Sequence, residues 1–103
     1  MINKKVEKRI RRLSRNQLKI LLFLSASSNS VASSVAVGKK LGLVGKSLGG
    51  VFSSLSRQKI LGQSLIIPFG MGSEGRGLRW KLNEDLISTK EIKDLVGEML
   101  KCW

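Results

Sequence analysis

Apolar residues recur along this chain first at helical spacing, then at strand spacing, then at helical spacing again. Ile2, Val6, Ile10 and Leu13 follow one another at intervals of four, four and three, which predicts a helix over 2–13 with every charge off that face. Ser14 and Gln17 stand as N-cap and N3 of a capping box, so a fresh helix starts at Arg15 and runs to about Ser25. Leu18, Leu21, Leu22 and Ser25 make its inner face, widened by Phe23 and Leu24. Residues 25–30 form a polar loop. Val31-Ala32 then reads as a short strand, or as the start of a helix capped by Ser30. Val35 to Leu41 is helical, capped by Ser33 and ended by Gly42 in the left-handed conformation. Leu43 packs inward at the hinge, and a helix follows over 46–58. Leu48, Val51, Phe52 and Leu55 stand at i, i+3, i+4 and i+7 on it.

The period then falls to two. Leu65 to Phe69 has strand composition, with Pro68 marking an edge or a bulge. In Leu78 to Leu82, Leu78, Trp80 and Leu82 face one way and Arg79 and Lys81 the other. Gly70-Met71-Gly72-Ser73-Glu74-Gly75-Arg76-Gly77 joins the two strands. Helical spacing returns after a second capping box, Ser88 with Glu91, which opens a helix to about Lys101. Ile92, Leu95, Val96, Met99 and Leu100 form its apolar face. That face needs cover, either from the same domain or from a second copy of the chain.

Helix, tight turn, helix and basic hairpin together resemble the winged helix-turn-helix family of DNA-binding domains. The resemblance is carried by Lys39-Lys40-Leu41-Gly42-Leu43, by the stripe Leu48/Val51/Phe52/Leu55, and by Gly77-Leu78-Arg79-Trp80. It covers about half the chain directly, and most of it once the helix at Asn16–Leu24 is added. The fold class it implies is α+β, mostly α: a winged helix-turn-helix with a two-stranded β-hairpin wing and additional N- and C-terminal helices. The whole of 1–103 reads as one domain, with a basic helix in 1–13, the winged core in 14–83 and a terminal helix in 84–103.

In that family the second helix of the motif enters the major groove. The positions that match here are Lys46, Ser47, Gly50, Ser53 and Ser54, with Arg57 lower, toward a phosphate, and Lys39 on the preceding helix. The N-terminal half of this helix has no Asn, Gln or Arg, the side chains that read bases bidentately. That departure bears on base-level specificity rather than on binding. The wing, 70–77, would lie over phosphates or the minor groove through Arg76, Arg79 and Lys81. The plain alternative for Arg79 and Lys81 is a solvated strand face. Lys4, Lys8, Arg11 and Arg12 would add phosphate contacts, unless the first helix is only docked by its apolar stripe. The resemblance also implies dimerisation by a terminal helix, here through Ile92, Leu95, Val96, Met99 and Leu100.

Charge sharpens the reading. The net charge is +12, with 19 Lys and Arg against 7 Asp and Glu. Between Glu7 and Glu74 there is no carboxylate side chain, and five of the seven acids fall after Asn83. A one-sign field of this extent attracts polyanions. There is no His, and Cys102 is the single cysteine, so no zinc site, internal disulfide or cofactor site is expected. Neither is catalysis, since no serine has a His partner. Gly45-Lys46-Ser47 ends like a phosphate-binding loop, but Lys40 stands where the motif needs Gly. Gly70-Met71-Gly72-Ser73-Glu74-Gly75 fits G-x-G-x-x-G, but a strand follows it rather than a helix. Ile20 to Leu24 is too short for a leader core or a membrane span, so a cytoplasmic protein without a membrane partner is expected.

The expected function is binding of double-stranded DNA as a transcriptional regulator. Two alternatives stand beside it: an RNA-binding winged domain on a ribosome or structured RNA, and a protein–protein interaction module.

Overall fold

A computed structural model of the chain describes residues 3–43, 45–71 and 78–101. The Gly70–Gly77 loop beyond Met71, with Arg76, lies outside the described residues, as do Ile2, Val44 and Cys102.

Helix α1 spans Lys4–Ile10, capped by Asn3, whose Oδ1 accepts from the Lys5 N–H at 2.8 Å. It is shorter than the apolar spacing predicts. The next residues tighten, with Arg12 and Leu13 donating to the Arg9 and Ile10 carbonyls, and the Ser14 cap then redirects the chain. Val6, Ile10 and Leu13 are all buried, as their spacing requires.

Helix α2, Arg15–Ala26, is the central element and touches α3, α4, α5, β1 and β5. Its capping box is formed: Gln17 Oε1 accepts from the Ser14 N–H at 2.8 Å, and Ser14 Oγ accepts from the Gln17 N–H at 3.3 Å. Leu18, Leu21 and Leu24 are buried, and so is Ile20, which the amphipathic reading left out. A helix with neighbours on several sides needs more than one apolar stripe. Ser25 is buried because its hydroxyl donates to the Leu22 carbonyl at 2.8 Å.

A tight 3-10 turn at Ser28–Ser30 leads into β1, Val31–Ser33, so the strand reading of Val31-Ala32 holds. Helix α3, Ser34–Leu41, begins with the Ser33 hydroxyl accepting from the Ala36 N–H at 3.1 Å. It ends at Gly42, with φ 72. Helix α4, Gly45–Arg57, buries Phe52 and Leu55, with Leu48 and Val51 half-buried beside them. Gly38 is what lets α3 and α4 meet. A Cβ there would lie 2.7 Å from the Leu43 carbonyl oxygen and 2.8 Å from Leu48 Cδ2.

The segment after α4 is a second hairpin rather than a plain connection. Strands β2, Lys59–Ile60, and β3, Gln63–Ser64, pair antiparallel. Leu61 and Gly62 turn between them with φ 55 and 80, the doubly positive turn that suits a two-residue hairpin. Strands β4, Ile66–Met71, and β5, Leu78–Leu82, form the wing, and β1 completes a sheet of order β1-β5-β4. Pro68 lies on the edge strand opposite Trp80, and the register slips between Pro68 and Met71. The missing N–H is tolerated because, among the described residues, no further strand pairs with that edge. Asn83 ties the base of the wing to the small hairpin, its Nδ2 donating to the Ser64 carbonyl at 2.9 Å.

Helix α5, Thr89–Lys101, packs along α2. Its capping box is also formed, with the Ser88 N–H donating to Glu91 Oε1 and the Glu91 N–H to Ser88 Oγ, both at 3.1 Å. Ile92 and Val96 are fully buried within this one chain, so they share its core with α2. Leu95, Met99 and Leu100 are half-buried. Among the described residues, no helix is long and apolar enough to cross a membrane.

Candidate nucleic-acid interface

Burial of Phe52 and Leu55 fixes which side of α4 looks outward. Lys46, Gly50, Ser53 and Arg57, at i, i+4, i+7 and i+11, form one ridge along that side. Lys46, Gly50 and Arg57 are exposed and Ser53 is half-buried. Ser47 and Gly49 flank the ridge and are also exposed. A Cβ at Gly49 or Gly50 would meet nothing within 4 Å, so neither glycine is required by packing inside the chain. The ridge is low, hydroxyl-bearing and cationic at both ends.

Ser54 is placed otherwise. Its hydroxyl accepts from Gln17 Nε2 at 2.7 Å and donates to the Val51 carbonyl at 2.8 Å. With its hydrogen bonds satisfied there, it braces α4 against α2 rather than joining the outward ridge. Gln17 thus serves twice, capping α2 with its oxygen and holding α4 with its nitrogen.

On the wing, Arg79 is exposed and Lys81 half-buried, side by side on the outward face of β5. Both cations sit over the ring of Phe69, at 5.7 Å and 5.4 Å from its centroid. Phe69 is 46% exposed and was not singled out by sequence. Its β4 position is legible only once the bulge brings it across from these two side chains. Together with Asn29, Val31, Ser33 and Glu84 they line a cleft of about 690 Å³ on the outer sheet face. Arg76 is outside the described residues. Lys39 is exposed in the last turn of α3.

The N-terminal bases divide. Arg11 donates from Nε to Glu7 at 3.1 Å and looks toward Lys90, Asp94 and Glu98 of α5, on the acidic side of the molecule. It does not share a face with Arg12. Lys8 and Arg12 instead gather with Lys5, Arg9 and Lys59 around a separate cleft of about 290 Å³. Lys5 and Arg9 were readable as neighbours of Lys8 and Arg12 at helical spacing, whereas Lys59 arrives only through the hairpin. Lys4 is exposed and does not line that cleft.

The fold lowers the pKa of Glu91. The Ser88 backbone N–H donates to its carboxylate and holds it below the ordinary Glu range, against a smaller opposing effect of burial.

No protein-family model matches this chain, and no curated protein matches it in sequence. Solved structures do match in shape. Lactococcus lactis ZitR, wild type in complex with DNA, superposes with a TM-score of 0.60 at 20% identity, over 88% of this chain and 57% of that one. A ZitR double mutant in apo form gives 0.63 at 18% identity, over 94% of this chain and 66% of that one. The adhesin competence repressor AdcR of Streptococcus pyogenes gives 0.62 at 17% identity, over 94% and 67%. The fold of this chain is therefore the winged helix-turn-helix. The chain spans 57% of the length of the DNA-bound ZitR chain.

Proposed function

We propose that this protein binds double-stranded DNA and acts as a cytoplasmic transcription regulator. The observation that carries the reading is the ridge Lys46–Gly50–Ser53–Arg57, which lies outward on the second helix of the motif and bears no carboxylate. Backbone approach is unobstructed at Gly49 and Gly50, and the wing cations Arg79 and Lys81 stand on the strand that packs against the same helix. The DNA bound to ZitR, a protein of the same fold, supports the reading.

The mechanism is docking. α4 enters the major groove, the wing rests on the neighbouring backbone, and specificity draws on shape and close approach more than on bidentate base contacts. Fluorescence anisotropy of labelled duplex DNA and duplex RNA across a salt series tests it. Duplex DNA should be preferred, and log affinity should fall with log salt at a slope of about −0.9 per phosphate contact. Lys46→Ala and Arg57→Ala should each make that slope shallower by about 0.9. Preference for RNA, or a salt-insensitive affinity, refutes the reading.

A dimer belongs to the same proposal. Leu95, Met99 and Leu100 are half-buried on α5, and Leu100 lines a largely apolar cleft of about 460 Å³ with Leu22, Phe23, Ala26 and Leu41, rimmed by Lys19 and Lys40. Light scattering coupled to size exclusion decides it, and a monomer at high concentration removes that part of the proposal.

A further inference from the structure

We propose that the cleft between α1 and the β2–β3 hairpin is a second phosphodiester-backbone site, distinct from the α4 ridge and the wing. It holds a nucleic-acid strand beyond the stretch docked on α4, and it rests on the DNA reading above.

Five cations converge there: Lys5, Lys8, Arg9 and Arg12 from the first helix and the turn after it, and Lys59 from the hairpin. All five are exposed, and no carboxylate lines the cleft among the described residues. The nearby acid, Glu7, is turned away and paired with Arg11. Lys5 with Arg9, and Lys8 with Arg12, are like charges one helical turn apart, an arrangement that works against an isolated helix. A polyanion in the cleft reverses the sign of that interaction.

Two of the cations are held in place before any ligand arrives. Arg9 donates from its guanidinium to Gln58 Oε1 at 3.0 Å. Lys59 donates to Ser64 Oγ at 2.9 Å, and that hydroxyl donates in turn to the Ser56 carbonyl at 2.9 Å. Pre-ordered cations lose less rotamer freedom when a phosphate binds. Guanidinium groups also match phosphate oxygens bidentately, and the site offers two of them.

Reach fits a strand better than a lone anion. From Lys5 to Arg12 the row extends about 10 Å at the helical rise, or roughly three steps of one strand at 3.4 Å each. Gln58 and Lys59 directly follow α4, so the cleft lies at the opposite end of that helix from Lys46, about 18 Å along its axis.

Titration of the ¹⁵N-labelled chain with a duplex of about two helical turns tests the site, because each region reports separately. Amide shifts are expected at Lys5, Lys8, Arg9, Arg12 and Lys59 as well as along α4. The variant Lys8→Ala/Arg12→Ala/Lys59→Ala changes only exposed side chains, and it should flatten the salt slope by about 2 to 3. Shifts along α4 alone, with an unaltered slope in the variant, overturn this proposal and leave the DNA reading intact. No shift in either region overturns both. Sodium tripolyphosphate saturating the cleft at lower phosphate concentration than the duplex would make it a small-polyphosphate site instead, and that also overturns the proposal.

Discussion

The rings of Phe52 and Trp80 stack with centroids 5.4 Å apart and planes 13° from parallel. Phe52 is on α4 and Trp80 on β5, and both are buried, so the helix that faces outward and the base of the wing meet on one aromatic contact. An aromatic pair contributes beyond the area it buries. Phe52→Leu keeps an apolar side chain in the site but loses the stack, and should cost about 1–2 kcal/mol. Urea denaturation reads this as a lower midpoint at unchanged slope. An unmoved midpoint would mean that the stack does not couple the two elements.

Glycines of opposite kind stand on the two helices of the motif. At Gly38 an added Cβ meets backbone at 2.7 Å, so Gly38→Ala should destabilise by about 1–3 kcal/mol although alanine favours helix. Gly49→Ala and Gly50→Ala meet open space and should each stabilise by about 0.4–1 kcal/mol. Thermal unfolding should therefore move down for the first variant and up for the other two. On the DNA reading, Gly50→Ala also weakens binding while it stabilises the fold, because it raises the floor of the ridge.

Gln17 holds two helices with one amide. Gln17→Leu removes the acceptor for the Ser14 N–H and the donor to Ser54, and should cost about 1–2 kcal/mol. Ser54→Ala should cost less, since it leaves the cap in place. A double-mutant cycle measures the part of the loss that belongs to the α2–α4 link.

Acid should loosen α5. Glu91 has a lower pKa folded than unfolded because the Ser88 N–H donates to its carboxylate. Its contribution is therefore complete above the unfolded value of about 4.3, and it fades as pH falls through the lower folded value. Glu91→Gln keeps a capping side chain without the charge, so its stability should change less than that of the parent as pH falls below about 4.3. Parallel acid titrations that superimpose would show that this cap carries no pH dependence.

Local signals were the most legible in the sequence. Both capping boxes, the Ser33 cap, Gly42 and the Pro68 irregularity are short-range rules, and each holds in the fold. What the sequence hid depends on distant partners. Ile20 lies off the apolar stripe of α2, yet it is buried because that helix has neighbours on several sides. Leu61-Gly62 offers only one glycine to a turn that needs two positive φ values, so the β2–β3 hairpin left a weak trace. The candidate site was legible as a helix face, since periodicity alone selects Lys46, Gly50, Ser53 and Arg57. Ser54, half-buried like Ser53, is tied to α2 by Gln17, 37 residues away, a link that periodicity does not reveal. Arg11 caps the end of α1 and pairs with Glu7 four residues back, a partner that sets it apart from Arg12.

Pro68 has a consequence for how copies of this chain meet in solution. Strand β4 is a sheet edge, and Ile66, Ile67 and Phe69 around the proline are strong β-formers. An unbroken edge of that composition would be a template for strand-to-strand growth into aggregates. The absent donor and the bulge beside it interrupt the ladder. The residue that breaks the regular wing is in this sense a guard against strand-to-strand pairing at a hydrophobic edge.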